Sequence, residues 1–279
     1  MKLERFAFST SAYMRHSWQH ALTHIATAGF KGAEILADKP HVWLDSFAAS
    51  DQIRLVRQLD KVGLFVSNLN ANCTSGFWSD ASSEPCFDPS LVSRRRELRE
   101  WRVAYSKKAL RVGKAVGARN VSITSGRALS VPPEKAQKLL LDGLNRLIDY
   151  AEKLEQPFSL ELKPLLLIET AEDLARLIAK FGSPYFGATL NVCDFPSNPT
   201  ASISKLKDRL FHVQLADCRR HEHFPRIPGE GDLHFQGIFK ALNGAGYTGP
   251  LTWNLPSNDE DPDAACRKAW RYTKALAKS

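Results

Sequence analysis

Glu161 and Lys163 are the two residues of this sequence whose types and spacing most directly suggest chemistry. They stand two positions apart at the end of the apolar run Phe158–Leu162, and alternation along a strand would place both side chains on one face. A carboxylate beside an amine can take up and return a proton near neutral pH, because burial and charge pull the two pKa values apart. The lysine could alternatively form a Schiff base with a carbonyl substrate, although pairing with Glu161 is the simpler role.

Further polar side chains come at or just after the ends of other apolar runs. Asp194, Asp217 and His223 could pass protons, histidine having the side-chain pKa closest to neutral. Groups that could bind a polar substrate are Asn70, Ser125, Asn191, His212, Gln214 and Asn254, and further polar residues without an assigned role are Glu34, Asn68 and Asn72. Any one of them could be a hydrogen-bonded rim residue, but their recurrence on several strands predicts a polar pocket.

Apolar runs alternate with amphipathic segments along the whole chain. The predicted strands are Arg5–Phe8, Gly32–Leu36, Leu64–Asn70, Asn120–Thr124, Phe158–Leu162, Phe186–Asn191, Phe211–Leu215 and Leu251–Asn254. Apolar residues at every third or fourth position predict helices over Trp18–Thr27, Leu91–Val116, Lys135–Leu154 and Ala171–Lys180. This alternation predicts an α/β fold, one (β/α)8 barrel forming a single domain over residues 1–279. The polar pocket would lie at the carboxyl ends of the strands, beneath the long connections Ala71–Pro89 and Asp217–His234.

Composition indicates the class of protein, its possible partners and its location. Hydrophobic residues make up 43% and charged residues 24% of the chain, as is typical of a globular domain. We interpret the net charge of +8 as a solvated basic surface, with attraction of an anionic substrate as the alternative, and expect no nucleic acid and no membrane as partner. Five dispersed cysteines and a first segment unlike a signal peptide favour the cytoplasm. Self-association into a homo-oligomer stays open.

Several segments resemble those of the xylose-isomerase-like TIM barrels. Glu161–Leu174 is similar to the family's fifth-strand segment, and Gly29–Ile35 to its second-strand signature. The last third is similar over Phe211–Asp217, over Ile227–Phe235 with its Pro-Gly-x-Gly-Asp motif, and over Ala245–Trp253. The resemblance covers essentially the whole chain. The family includes sugar phosphate isomerases, ketose 3-epimerases, inosose dehydratases and barrel-type endonucleases.

The resemblance implies one divalent metal ion held by Glu, Asp, His and Glu from strands five to eight. At those places this sequence has Glu161, Asn191, Gln214 and Asn254, so one carboxylate and three neutral amides remain. Lys163 could put a fixed positive charge where the metal would lie. We therefore predict no tightly bound metal and no other cofactor, and the alternative is a weakly held Mg²⁺ or Mn²⁺ on Glu161 with the three amides.

The resemblance also implies a substrate and a reaction class. We predict an enzyme similar to the sugar phosphate isomerases and epimerases, which moves a proton next to a carbonyl of a small polyhydroxylated or keto substrate. Isomerisation, epimerisation and dehydration all fit this chemistry. Glu161 would be the base, with Lys163, Arg220 and the amides stabilising an enediolate-like oxyanion in place of a metal. Arg220 stands where the epimerase branch has a substrate-binding arginine.

Two other functions differ in class. The alternative to an enzyme is a non-catalytic ligand-binding or partner-subunit barrel, derived from a metal-dependent isomerase. A nuclease is not expected, because it would need a cluster of about three metals and many more histidine and acidic ligands than this chain offers.

Overall fold

Eight parallel strands close into a barrel in chain order. The computed structural model describes residues 2–78, 87–128, 131–195, 197–219, 224–256, 258 and 260–278. The strands are β1 Phe6–Ser9, β2 Gly32–Leu36, β3 Phe65–Asn70, β4 Val121–Thr124, β5 Phe158–Leu162, β6 Phe186–Asn191, β7 Leu210–Leu215 and β8 Leu251–Trp253. Parallel pairing of β1 with β8, which sets Phe6 opposite Leu251, closes the barrel.

A helix follows each strand and packs its apolar face on the outside of the barrel. The helices are α1 Trp18–Ala28, α2 Ala49–Val62, α3 Arg96–Ala115, α4 Pro133–Leu154, α5 Ala171–Phe181, α6 Pro199–Leu206, α7 Phe235–Gly244 and α8 Pro262–Leu276. The fold is therefore a single (β/α)8 barrel, as the alternation of elements predicts. Among the helices of the described residues, none is long and apolar enough to cross a membrane.

The predicted strands agree with the observed ones to within one residue at each end, whereas one predicted helix begins too early. The periodic pattern from Leu91 is real, since Leu91 and Val92 are buried, but α3 begins only at Arg96. Ser93 Oγ accepts a hydrogen bond from the Ser90 backbone N–H at 2.7 Å, and Ser90 Oγ accepts one from Val92 N–H. These local bonds satisfy the backbone in a turn and so compete with helix formation.

The interior of the barrel below the site is polar. Asn120 Nδ2 donates hydrogen bonds to Asn68 Oδ1 at 2.9 Å and to Ser159 Oγ at 2.8 Å, and Ser159 and Thr189 share another at 2.7 Å. All four side chains are fully buried. Polar groups this deep are tolerated because they bond to one another, and they link β3, β4, β5 and β6 across the barrel.

Candidate active site

Alternation along β5 decides which of its side chains enter the barrel. Phe158 packs against Phe186, whose ring contacts Phe181 of α5 at 5.6 Å between centroids, so this side of the strand faces the helices. Ser159 and Glu161 consequently point inward. Lys163, two residues beyond Glu161, follows them to the same side, as its spacing predicts.

The buried Glu161 and the partly buried Lys163 and Asp194 form a charged cluster at the carboxyl ends of β5 and β6. Lys163 Nζ donates a hydrogen bond to Asp194 Oδ2 at 2.8 Å and lies 3.8 Å from Glu161 Oε1. Asp194 reaches this place from the short turn Val192–Asp194 that follows β6. One cation is thus shared between two carboxylates, with Asp194 as its closer partner.

The surroundings of this cluster raise the pKa values of both Glu161 and Lys163. Burial raises the pKa of Glu161 to about 8, with further increases from Asp194 and Glu34 and an opposing effect from Lys163. Burial opposes the charge on Lys163, but the neighbouring carboxylates Asp194 and Glu161 outweigh it and raise the pKa of the ammonium above its ordinary value. Glu161 can therefore exchange a proton near neutral pH, while Lys163 stays charged and is a poor amine nucleophile, which disfavours the Schiff-base alternative.

Asn72 is the second partner of Glu161. Its Nδ2 donates a short hydrogen bond to Glu161 Oε2, and within the described part of the chain its Oδ1 has no hydrogen-bond partner. Arg102 of α3 holds the backbone just before it, because Arg102 Nη2 donates to Ala71 O at 2.6 Å. Asn72 thus positions one oxygen of Glu161, and its own Oδ1 remains available to accept a hydrogen bond.

Glu34 of β2 is a second buried carboxylate in the interior. Four side chains donate hydrogen bonds to it at 2.8–3.3 Å, namely Ser9, Asn68, Asn70 and Gln214. These bonds come from β1, β3 and β7, so Glu34 connects its own strand β2 to three others. Two of the predicted substrate-binding residues, Asn70 and Gln214, are therefore turned with their amide N–H groups toward Glu34, and Gln214 Oε1 has no partner among the described residues.

His212 lies in the floor of the barrel. Its Nε2 is 2.8 Å from Thr252 Oγ1, which donates to Ser67 Oγ at 3.0 Å, and its Nδ1 is 3.7 Å from Glu34 Oε2. Burial lowers the pKa of His212 to about 4, so the ring is neutral. The structure brings His212 next to Glu34 and not next to Glu161.

The remaining predicted substrate-binding residues are tied to nearby backbone or side chains. Asn191 Oδ1 accepts a hydrogen bond from the Cys193 N–H at 3.1 Å, and Asn254 Oδ1 accepts one from Ser11 Oγ at 2.6 Å. Ser125 Oγ accepts one from the Ile168 N–H at 3.0 Å, which connects the loops after β4 and β5. Asn254 alone of the three predicted residues is half-buried, the other two being buried.

Asp217 organises the loop after β7. Its carboxylate accepts hydrogen bonds from four backbone N–H groups at 2.8–3.1 Å, those of Cys218, Gly229, Gly231 and Leu233. The Pro-Gly-x-Gly-Asp motif follows from this contact, since a Cβ on Gly231 would lie 2.3 Å from Asp217 Oδ1. The Asp217 carboxylate is thus occupied by hydrogen bonds to the backbone of its own loop. Arg220 and His223, which that loop carries, lie outside the described residues.

Two functional candidates, Glu34 and Asn72, had no assigned role in the sequence. A glutamate within the apolar strand Gly32–Leu36 is itself a signal, because a parallel strand is buried on both faces and a charge there needs partners. Asn72 offered no such signal. Its contact with Glu161 joins residues 89 positions apart.

The sequence of this chain matches the family described as the xylose isomerase-like TIM barrel over residues 22–276. The chain belongs to this family. Fructoselysine 3-epimerase of Escherichia coli O157:H7 is 23% identical to it over 279 residues, covering 96% of each chain. Inosose dehydratase of Clostridium beijerinckii is 23% identical over 286 residues, covering 93% of this chain and 89% of the dehydratase.

Two solved structures share the fold over nearly the full length of this chain. A D-tagatose 3-epimerase-like protein superposes with a TM-score of 0.80, with 18% identity and 98% of both chains covered. The IOLI protein with a bound zinc atom superposes with a TM-score of 0.78, with 16% identity, covering 98% of this chain and 97% of that chain. Proteins of this fold thus include one that binds a metal.

The residues at the family's metal-ligand positions do not fit a tightly held divalent ion in this member. Of Glu161, Asn191, Gln214 and Asn254, only Glu161 is an acid, and Lys163 Nζ lies 3.8 Å from its Oε1. The amide oxygens of Asn191 and Asn254 already accept hydrogen bonds. Three neutral amides beside a fixed ammonium offer a dication little charge compensation at these four positions.

Proposed function

We propose that this protein is a sugar isomerase- or epimerase-like enzyme that moves a proton next to the carbonyl of a small polyhydroxylated substrate. The main support is the buried Glu161, which lies between Asn72 and Lys163 and whose pKa is raised to about 8 by burial. A group with a pKa near the working pH is the most effective proton-transfer catalyst. The epimerase and dehydratase relatives support a sugar-like substrate.

Glu161 removes the proton and Lys163 stabilises the charge that develops. When a carbon next to a carbonyl loses a proton, the carbonyl oxygen becomes an enediolate-like oxyanion, and an ammonium within reach lowers the energy of that state. The link from Lys163 to Asp194 at 2.8 Å holds the ammonium in place and charged. The Oδ1 of Asn72, which has no hydrogen-bond partner among the described residues, is an acceptor for a substrate hydroxyl.

The number of proton-transfer groups bears on the reaction type. Isomerisation, or dehydration on one face, needs a single group that takes up and returns a proton, and Glu161 supplies it. Inversion of a carbon needs a second group on its opposite face, which the amide of Asn254 cannot supply. His223 is the second acid or base that we propose for an inverting reaction, and Arg220 is the proposed substrate-binding cation of the same loop.

A non-catalytic sugar-binding barrel is the second candidate. It is favoured by the replacement of three of the four family ligands, two acids and one histidine, by the amides Asn191, Gln214 and Asn254. Such a protein would retain the polar pocket and would bind its ligand without exchanging protons. Proton exchange with the bound ligand therefore distinguishes the enzyme from the binding protein.

Solvent proton exchange tests the proposal directly. The purified protein is incubated in D₂O with a panel of ketoses and inososes, and deuterium at the carbon next to the carbonyl is followed by NMR. We expect exchange with at least one sugar, reduced by about 10²- to 10⁴-fold in Glu161→Gln, and unchanged in the exposed control Glu152→Gln. Ligand-induced thermal stabilisation without any exchange would instead favour the binding protein.

A further inference from the structure

A cluster of two histidines and one carboxylate lies on helices outside the barrel, whereas Glu161 lies inside it. His20 and His24 are four residues apart on α1, so they project from one face of that helix. Asp263 lies in the first turn of α8, which packs beside α1. Asp263 Oδ2 is 2.8 Å from His24 Nδ1 and 3.9 Å from His20 Nε2. Three potential ligand atoms thus converge, all within 4.8 Å of one another.

Two polar atoms of this cluster are buried without a partner. Within the residues that the structure describes, neither His20 Nε2 nor Asp263 Oδ1 has a hydrogen-bond partner. The rings of His20 and His24 stack with centroids 4.1 Å apart. Buried polar atoms without hydrogen bonds are unfavourable, so an additional bound group would stabilise this arrangement. The side chains of His24 and Asp263 remain 39% and 24% exposed, which gives an ion access.

We propose that His20, His24 and Asp263 bind one divalent transition-metal ion of the zinc type, with water at the remaining position. Two imidazole nitrogens and one carboxylate oxygen suit Zn²⁺, Co²⁺ or Ni²⁺, while Mg²⁺ and Ca²⁺ prefer oxygen ligands. Zinc bonds of about 2.0–2.2 Å place neighbouring tetrahedral ligand atoms roughly 3.3–3.5 Å apart. The 2.8 Å and 3.9 Å distances to Asp263 bracket that spacing, and all three ligand atoms lie within 4.8 Å of one another. The stacked rings of His20 and His24 have to turn toward the ion for both nitrogens to bind it.

This site has a structural role. It connects α1 and α8, the first and last helices of the barrel, and so joins the two ends of the chain where the barrel closes. An ion that binds only the folded protein stabilises it by mass action. The ligands belong to neither β5 nor the loops around Glu161, so the ion takes no part in proton transfer.

Zinc titration of the full chain after dialysis against EDTA tests the proposal. Isothermal calorimetry is expected to give one site per chain, and Zn²⁺ at about 100 times the Kd is expected to raise Tm by about 5–10 °C. His24→Ala and Asp263→Asn should each weaken binding by about 100-fold or more, because losing a ligand costs at least as much as losing a ligand's supporting hydrogen bond. The exposed His234→Ala is the matched control and should bind as the wild type does.

Two further measurements keep the result independent of misfolding in a variant. The Co²⁺-loaded wild-type protein should show the d–d absorption of a four-coordinate histidine–carboxylate site, and Glu161→Gln should bind zinc with unchanged stoichiometry. Absence of binding at millimolar Zn²⁺ overturns the proposal, leaving a simple His24–Asp263 hydrogen bond. It is equally overturned if Glu161→Gln abolishes binding while His24→Ala retains it, since the ion would then lie inside the barrel.

Discussion

The ammonium of Lys163 is held by Asp194 at 2.8 Å, although Glu161 stands only two residues before it and is 3.8 Å away. Asp194 is 31 residues further along the chain and arrives from the turn after β6. The positive charge of Lys163 therefore lies closer to the Asp194 carboxylate than to the Glu161 carboxylate. Burial, with Asp194 and Glu34 adding to it, therefore outweighs the lowering effect of Lys163 and raises the pKa of Glu161 to about 8.

Asp194→Asn and Lys163→Met should shift the pKa of Glu161 in opposite directions. Asp194 raises that pKa and Lys163 lowers it, so removing the negative charge should bring the pKa below about 8, and removing the positive charge should take it above. A ¹³C NMR titration of the Glu161 side-chain carboxyl measures both variants. An unchanged pKa in both variants would show that burial alone sets the value, and shifts of the same sign would contradict the assigned roles of the two charges.

The stability of the protein should depend on pH through Glu161. The folded protein holds this proton up to a pKa of about 8 and the unfolded chain releases it near 4.5, so the wild type loses stability as pH rises from 4.5 to 8, by up to ~5 kcal/mol. Glu161→Gln carries no such titration. Its Tm relative to the wild type should therefore rise between pH 5 and pH 8.5, by as much as ~10 °C.

The exposed Glu152→Gln serves as the control in the same buffer series, and its Tm should follow that of the wild type at every pH. A difference between Glu161→Gln and the wild type that stays constant from pH 5 to pH 8.5 would contradict a raised pKa of Glu161.

Proton exchange with a bound sugar should survive exhaustive dialysis against EDTA. The donors at the four family positions provide one carboxylate next to an ammonium, so we expect the reaction to proceed through Glu161 and Lys163 without a tightly bound dication. The NMR assay in D₂O before and after dialysis measures this. Loss of exchange on dialysis and its recovery with Mn²⁺ would show that the pocket uses a metal after all.

Gly231→Ala should destabilise the loop after β7. A Cβ there would lie 2.3 Å from Asp217 Oδ1. The loop would have to move away from the Asp217 carboxylate and weaken its four backbone hydrogen bonds, which should lower the free energy of unfolding by about 1–3 kcal/mol. Thermal unfolding should show a Tm lower by several degrees. Gly244→Ala is the control, since nothing lies within 4 Å of a Cβ at that position. Equal Tm values for the two variants would argue against a stabilising role for the backbone hydrogen bonds to Asp217.

Much of the fold follows from local patterns. Eight apolar runs predict the strands to within one residue, because each buried strand is a run of consecutive, mostly apolar residues. The periodic pattern predicts the start of α3 too early, because Leu91 and Val92 have the periodicity of a helix while the hydrogen bonds of Ser90 and Ser93 hold them in a turn. Periodicity reports burial and does not distinguish a buried helix from a buried turn.

The sequence alone was sufficient for the barrel and for the placement of Glu161 and Lys163 on one face, because both depend on the regular alternation of neighbouring residues in a strand. Only the tertiary structure decided that Lys163 pairs with Asp194, that Asn72 contacts Glu161 and that Glu34 engages the amides. Those contacts join different strands, and the closure and register of the barrel bring them together. The pKa values that matter for proton transfer depend on such contacts and on burial, so they are properties of the assembled barrel.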